Sequence, residues 1–190
     1  MSSPEDRIGV GIIGCGKISQ AYFDGAKTFK VLKILACADL NEATAQAKAE
    51  ENGCEAMRIA KLLAHPEIQL VINLTIPAAH AAVSRDILKA GKHVYCEKPL
   101  AHEISEARAM GNWAKKSGVV TQMGNQIQSS IEYRSAVVLL QNGVIGKIKE
   151  VHAWSGASFP GNGRPAGADP IPKNLDWDKW VGVAPERPYK

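Results

Sequence analysis

Short apolar runs alternate with stretches of helical periodicity over residues 7–123 of this 190-residue chain. The apolar runs are Ile8–Ile13, Leu32–Ala38 and residues 70–74, 93–96 and 119–123, with a weaker candidate at 54–57. Runs that are apolar at nearly every position are typical of parallel strands covered by helices on both faces. Helices that end close to a glycine are predicted at Glu42–Asn52 and at residues 79–90, 104–116 and 131–142. The alternation predicts a doubly wound α/β domain with a parallel sheet.

The pattern changes after residue 124. Residues 148–155 are predicted as one further strand, and no periodicity follows from residue 156 to residue 190. That final stretch holds six of the ten prolines together with Trp177 and Trp180. Because disordered segments are poor in aromatic residues, we expect it to pack against other structure. The predicted organisation is a first domain over residues 1–124 and the beginning of a second over residues 125–190.

Composition argues against several classes of protein. The net charge is +4 and is dispersed, without the run of Lys and Arg typical of a nucleic-acid or membrane surface. The mean hydropathy is −0.14, and the first residues lack the apolar core of a secretory signal. The four cysteines show no metal-ligand spacing, which is typical of buried thiols in a reducing compartment. We therefore expect a cytoplasmic protein without metal, nucleic acid or membrane as a partner.

The strongest local motif is a glycine turn at the end of the first strand. It runs into a predicted helix and reads Gly14-Cys15-Gly16-Lys17-Ile18-Ser19. Gly14 would make the tight turn, and Gly16 would let a pyrophosphate approach the backbone at the positive helix N-terminus, beside Lys17 and Ile18. Ser19 stands at the third glycine of the dinucleotide-binding pattern, where a small residue still allows the helix to pack on the strand.

Asp39 follows the second strand, 20 residues after Ser19. A carboxylate at this position would accept hydrogen bonds from the ribose hydroxyls of a dinucleotide and repel a 2′-phosphate. The spacing therefore predicts NAD as the cofactor in preference to NADP. The alternative is a structural role, in which Asp39 or Asn41 caps the helix that begins at Glu42.

Two other classes of nucleotide-binding protein have a similar glycine pattern. Gly11 to Lys17 also fits the phosphate loop of nucleotide hydrolases, but Ile18 stands where a Ser or Thr hydroxyl would hold Mg²⁺. Methyltransferases also combine a glycine turn with an acid after the second strand. The glycine turn and Asp39 do not separate that class from the dinucleotide enzymes.

A third motif distinguishes between these classes of nucleotide-binding protein. Residues 93–99 read His-Val-Tyr-Cys-Glu-Lys-Pro, so that Glu97-Lys98-Pro99 follows a strand, and residues 73–80 read Asn-Leu-Thr-Ile-Pro-Ala-Ala-His. With the glycine turn and Asp39, these segments make the chain resemble the glucose–fructose oxidoreductase / inositol dehydrogenase (Gfo/Idh/MocA) family over essentially its whole length.

The resemblance implies a Rossmann-type, NAD-dependent dehydrogenase that transfers hydride between a sugar or cyclic polyol hydroxyl and nicotinamide. It implies that Lys98 is the catalytic residue, which shares a proton with the substrate hydroxyl, and that the Lys98–Pro99 bond is cis. Gln126 would face the substrate. The residues implied to contact the cofactor in this part of the chain are Thr75, His80 and Glu97.

The resemblance also implies an α+β second domain, which supplies further catalytic residues, and a homo-oligomeric complete protein. We therefore expect this chain to be an N-terminal part that begins a truncated second domain and is inactive alone. A non-catalytic dinucleotide-binding or sensor module is the alternative, because a Rossmann fold alone does not fix an activity.

Overall fold

The computed structural model describes residues 7–154, 156 and 166–190. The strands in these residues are β1 (Ile8–Ile13), β2 (Leu32–Ala38), β3 (Glu55–Ala56), β4 (Ile68–Asn73), β5 (His93–Glu97) and β6 (Thr121–Gly124). The helices are α1 (Ser19–Thr28), α2 (Glu42–Asn52), α3 (Ile59–Ala64), α4 (His80–Lys89), α5 (Ile104–Ser117), α6 (Ile131–Gln141) and α7 (Trp177–Val181). The six strands form one parallel sheet in the order β3-β2-β1-β4-β5-β6. The predicted doubly wound α/β fold is confirmed.

The strand order creates a crevice beside β1. At the carboxyl end of β1, Ile13 pairs with Ala38 of β2 on one side and with Asn73 of β4 on the other. The chain leaves β1 towards β2 through α1, whereas β4 and β5 continue the sheet in the opposite direction. Ligands of open α/β sheets bind at such a switch, outside the carboxyl ends of the strands.

Successive residues of β1 face two separate cores, as the pleat of a strand requires. On one face, the buried members of the cluster include Val10, Ile12, Phe23, Ala45 and Ala49. On the other face, they include Ile13, Leu62, Ile87, Leu88 and Met110. Burial of each large aliphatic or aromatic side chain contributes about 1.5–3 kcal/mol. Helices on both faces therefore hold the central strands in place.

Local signals explain where α2 lies. Asn41 is its N-cap, and the Asn41 side chain accepts hydrogen bonds from the amides of Ala43 and Thr44. The helix ends at Gly53, which is left-handed. The predicted helix bounds are confirmed, and the capping role falls to Asn41 rather than to Asp39.

Three local features differ from the sequence pattern. The six-residue helix α3 and the short helix α7 are not predicted, because neither is long enough to show a period. The predicted strand at residues 148–155 is wrong for residues 148–154, which form no strand, while residue 155 lies outside the described residues. Val151 and Trp154 there are exposed, and among the described residues no strand lies beside this segment to pair with it.

The chain divides into two compact units, Met1–Asn142 and Gly143–Lys190. The first unit thus includes α6, which lies beyond the predicted boundary at residue 124. In the second unit, the indole Nε1 of Trp177 donates to the carbonyl of Arg187 at 2.7 Å, and the ring of Tyr189 meets Trp177 edge-on at 5.1 Å. These contacts of Trp177 lie within the segment itself, and Trp180 is exposed, so the expected packing of both tryptophans against other structure stays a prediction.

Candidate active site

The glycine turn begins with Gly14, whose backbone amide donates to the carbonyl of Ala38 at 2.8 Å. Its φ is +101°, and a Cβ there would lie 2.5 Å from the carbonyl carbon and oxygen of Leu74. Backbone atoms cannot move aside as a flexible side chain can. Gly14 is therefore required both by its conformation and by the close approach of the segment after β4.

The second glycine faces open space. A Cβ added to Gly16 would meet no heavy atom within 4 Å. Helix α1 begins three residues later without a side-chain cap and without an acidic residue in its first turn, so its positive end is not neutralised by the chain. Ser19 is buried, and its hydroxyl donates to the carbonyl of Gly16 at 2.7 Å, which shows how serine fits at the third position of the motif.

Asp39 lies directly against this turn. One carboxylate oxygen accepts a hydrogen bond from the amide of Cys15 at 2.8 Å, and the other accepts one from the amide of Asn41 at 2.9 Å. The carboxylate is half-buried. The structure therefore brings the acid after β2 to the glycine turn after β1, as the spacing of the sequence predicts.

Three thiols lie beneath the turn in the same core. Cys15 and Cys37 are buried and Cys54 is half-buried, and all are free. A hydrogen bond between Cys15 and Cys37 lowers the pKa of Cys15 and raises the pKa of Cys37 to about 12. The prediction that the cysteines are buried thiols is confirmed for Cys15, Cys37 and Cys96.

A pocket of about 620 Å³ opens at the carboxyl edge of the sheet, and we call it the edge pocket. It is lined by residues of α1 and of the segments after β4, β5 and β6. The predicted site residues that line it are Ile18, Thr75, His80, Glu97, Lys98 and Gln126. Residues from four separate parts of the sequence thus meet in one pocket.

Glu97 is held on both sides. Its Oε1 accepts a hydrogen bond from the hydroxyl of Tyr22 at 2.6 Å, and its Oε2 accepts one from the amide of Lys98 at 3.0 Å. A Cβ on Gly124 of β6 would lie only 2.7 Å from Oε1, so glycine at that position leaves room for the carboxylate. The Glu97 side chain is therefore fixed in one orientation on the pocket wall.

Tyr22 packs against a second tyrosine. The rings of Tyr22 and Tyr95 meet edge-on with their centroids 5.9 Å apart. Burial, and then the hydrogen bond to Glu97, raise the pKa of Tyr22 well above its ordinary value. Tyr22 therefore stays protonated and keeps donating to the carboxylate at any physiological pH.

Lys98 lies at the rim of the edge pocket and is exposed. The Lys98–Pro99 peptide bond is cis, as the family resemblance implies. Because Lys98 follows β5, its side chain stands at the edge of the sheet where ligands of this fold bind.

A buried polar network supports the opposite wall. The side-chain amide of Asn73 donates to the carbonyl of His80 at 3.1 Å and to the hydroxyl of Ser84 at 3.0 Å. Its carbonyl oxygen accepts hydrogen bonds from the hydroxyl of Thr75 at 2.7 Å and from the Thr75 amide at 3.2 Å. Asn73, Ser84 and His80 are almost fully buried, so these bonds fix the segment that follows β4 to the start of α4.

Three residues with polar contacts or ring packing at this site, Tyr22, Tyr95 and Asn73, are not among the predicted site residues. Because side chains alternate between the two faces of a strand, Tyr95 lies on the same face of β5 as Glu97. This alternation could have predicted Tyr95 as a residue of the site. Asn73 is a polar residue that ends an otherwise apolar strand, and that contrast is also a usable signal. Nothing in the local pattern around Tyr22 indicates that it meets Glu97, which lies 75 residues later.

A parallel six-stranded sheet with a glycine turn and an acid at the switch point defines a Rossmann-type dinucleotide-binding domain. The family model described as an oxidoreductase family with an NAD-binding Rossmann fold matches residues 8–125. The chain belongs to this Gfo/Idh/MocA family of oxidoreductases.

Curated relatives include dehydrogenases of cyclic polyols. The chain is 31% identical over 153 residues to an inositol 2-dehydrogenase of Gluconacetobacter diazotrophicus, covering 77% of this chain and 45% of that protein. It is 25% identical over 175 residues to a myo-inositol 2-dehydrogenase of Thermotoga maritima, covering 91% and 49%. The chain therefore spans about half the length of the curated relatives that it matches.

Solved structures agree on the fold. A probable dehydrogenase from Thermotoga maritima is 25% identical with a TM-score of 0.70, covering 74% of this chain and 43% of that one. A 3-ketoreductase from Actinomadura kijaniata, solved in complex with TDP-benzene and NADP, is 26% identical with a TM-score of 0.67, covering 74% and 45%. The second of these neighbours was thus solved with NADP bound.

The part of the chain that the structure describes contains neither a membrane-spanning helix nor a cluster of metal ligands. None of the helices in residues 7–154 and 166–190 is long and apolar enough to cross a membrane. In the same part of the chain, no group of three or more His, Cys, Asp or Glu residues is arranged to hold a metal ion.

Proposed function

We propose that this chain is the cofactor-binding part of an NAD-dependent dehydrogenase. The enzyme would transfer hydride between a secondary hydroxyl of a sugar or cyclic polyol and nicotinamide. The observation that carries the proposal is the edge pocket, where Glu97, Lys98 and Thr75 adjoin the end of the glycine turn.

The residues of the turn fit a dinucleotide. Gly16 leaves space above the backbone, and α1 offers a helix N-terminus that no acidic side chain occupies. Both features favour a pyrophosphate, and Lys17 adds a positive charge on the exposed side. Gly14, Gly16, Lys17 and Ile18 would hold that group.

Asp39 supports NAD as the cofactor. Its carboxylate is fixed beside the turn by the amides of Cys15 and Asn41, so it cannot swing away from the adenosine ribose. A carboxylate accepts hydrogen bonds from the two ribose hydroxyls, whereas a 2′-phosphate would place like charges in contact.

The other end of the cofactor would lie in the edge pocket. Glu97 is oriented by Tyr22 and by the amide of Lys98, and it would accept hydrogen bonds from the nicotinamide ribose. Thr75 would contact the cofactor from the opposite wall. When bound, nicotinamide supplies the hydride acceptor or donor.

Lys98 would accept or donate the proton that the substrate hydroxyl loses or gains in the reaction. In the direction of oxidation, a hydroxyl must lose its proton as its carbon loses hydride, and the Lys98 amine at the pocket rim would accept that proton. In the direction of reduction, the Lys98 ammonium would return it.

The substrate class follows from the pocket rim and from the relatives. Gln126, which begins a short 3₁₀ helix after β6, brings an amide that both donates and accepts hydrogen bonds to the wall of the pocket. That chemistry suits a ligand with several hydroxyl groups, and two relatives are named as inositol dehydrogenases.

Two measurements test the proposal. Titration calorimetry with NAD, ATP and S-adenosylmethionine should detect binding of NAD alone. A screen of sugars and cyclic polyols, followed as NADH absorbance, should then find a substrate for the complete protein. Binding of NAD without turnover on any polyol would favour a non-catalytic dinucleotide-binding module, and binding of ATP or S-adenosylmethionine in place of NAD would refute the proposal.

A further inference from the structure

His80 is a buried residue whose two ring nitrogens both face backbone oxygens. It is the first residue of α4 and is 1% exposed. Its Nδ1 lies 2.5 Å from the carbonyl oxygen of Pro99, and its Nε2 lies 2.8 Å from the carbonyl oxygen of Thr75. The ring thus spans the gap between the segment after β4 and the segment after β5.

The chemistry of imidazole restricts how this arrangement is made. A neutral ring has one N–H and one lone pair, so it donates only one hydrogen bond. A carbonyl oxygen accepts and cannot donate, and a lone pair directed at it from 2.5–2.8 Å would be repelled. Only the imidazolium, with two N–H groups, satisfies both contacts.

We propose that His80 is a positioning residue that, as an imidazolium, holds the segment at Thr75 and the segment at Lys98–Pro99 at a fixed separation. This part of the inference rests on the geometry of His80 alone. Its consequence for catalysis, that the bridge sets where Lys98 stands relative to the cofactor wall, rests on the proposed function.

The surroundings are compatible with a charged ring. The group that bonds the start of α4 from β4 is the neutral side-chain amide of Asn73, which also donates to the hydroxyl of Ser84 in α4. On the β5 side, the edge pocket that His80 lines also carries one acidic side chain, Glu97, and one basic side chain at its exposed rim, Lys98.

The same geometry changes the role expected of His80. With both nitrogens engaged, the ring has no donor or acceptor left for a cofactor and offers only its carbon edge to the edge pocket. His80 therefore acts on the site through Thr75 and Pro99 rather than by binding the dinucleotide with a hydrogen bond.

The protonation state is measured on the wild-type chain, with no cofactor and no turnover. Histidine-selective ¹⁵N labelling and long-range ¹H–¹⁵N correlation spectra at pH 7.5 report how many ring nitrogens carry a proton. We expect two for His80, and the exposed His102 serves as the reference signal. His80→Gln and His102→Gln assign the signals. A neutral tautomer at position 80 overturns the proposal.

The bridging role is measured by hydrogen exchange of the backbone amides. His80→Gln can donate from only one end of its amide, so exchange in residues 75–79 and 98–103 should rise on the order of tenfold, while amides of β1 and β2 keep wild-type protection. His102→Gln should change neither. Unchanged exchange in both segments, or an equal increase throughout the sheet, would overturn the positioning role. Should the variant not fold, the wild-type spectra still decide the protonation.

Discussion

The hydroxyl of Tyr22 in α1 donates a 2.6 Å hydrogen bond to the carboxylate of Glu97 at the end of β5. This bond joins the helix that follows the glycine turn to the strand that precedes Lys98. It therefore connects the part of the site that would bind the pyrophosphate with the part that would bind nicotinamide.

Removal of the Tyr22 hydroxyl should weaken NAD binding without unfolding the domain. In Tyr22→Phe the ring still packs on Tyr95, but Glu97 loses the donor to Oε1. We expect the Kd for NAD to rise about tenfold, since a hydrogen bond to a charged group is typically worth about 1.5–3 kcal/mol. The measurement is titration calorimetry, with Tyr133→Phe on α6 as the matched control. An unchanged Kd would remove Tyr22 from the cofactor site.

The raised pKa of Tyr22 can be measured directly. Because burial and the Glu97 carboxylate both favour the neutral phenol, Tyr22 should stay protonated as pH rises through the ordinary tyrosine range near 10. In an alkaline ultraviolet titration of the chain, the transition of Tyr22 should therefore be absent until the fold is lost. Glu97→Gln should bring that transition to lower pH. Ionisation of Tyr22 at about pH 10 in the folded protein, assigned with Tyr22→Phe, would contradict the buried Tyr22–Glu97 pair.

Alanine substitutions at the two glycines of the turn should have different effects, one on the free energy of unfolding and the other on NAD affinity. In Gly14→Ala the new Cβ would meet backbone atoms of Leu74 at 2.5 Å, so we expect a loss of at least about 2 kcal/mol in the free energy of unfolding. In Gly16→Ala the Cβ enters open space, so stability should change by no more than about 0.5 kcal/mol while NAD affinity falls. Urea denaturation and calorimetry check both. Equal stability of the two variants would contradict the close approach at Gly14.

Lys98 should affect turnover and not cofactor affinity. In the complete protein, with a polyol identified by NADH absorbance, Lys98→Gln should lower kcat by about 10²–10⁴-fold while the Kd for NAD stays unchanged. Lys61→Gln, an exposed lysine of α3, is the control and should keep wild-type kinetics. Wild-type turnover in Lys98→Gln would refute the role in proton transfer.

Several parts of the site could be predicted because strand ends carry them. In a parallel sheet all the carboxyl ends lie at one edge, so Gly14, Asp39, Thr75 and Lys98 come together once the strands are identified. The strands themselves are identified from local apolar runs, whereas the roles expected of Thr75 and Lys98 come from the family resemblance.

Other features could not be predicted because they depend on pairing across the fold. The bond between Tyr22 and Glu97 joins residues 75 positions apart, and no local pattern encodes it. The two carbonyl oxygens around His80 belong to Thr75 and Pro99, which approach each other only when the strands are in register. The strand predicted at residues 148–155 is wrong for residues 148–154 for the same reason, because a local pattern does not show whether a partner strand exists.

The most direct measurement is the ratio of the Kd for NADP to the Kd for NAD, in the wild-type chain and in Asp39→Asn. Asparagine keeps an acceptor for the amide of Cys15 and removes the charge. We expect the wild type to prefer NAD by about tenfold or more, and the variant to bring the ratio close to one, since repulsion of the 2′-phosphate is lost. An equal affinity for both cofactors in the wild type, or an unchanged ratio in Asp39→Asn, would contradict the placement of the adenosine ribose at Asp39.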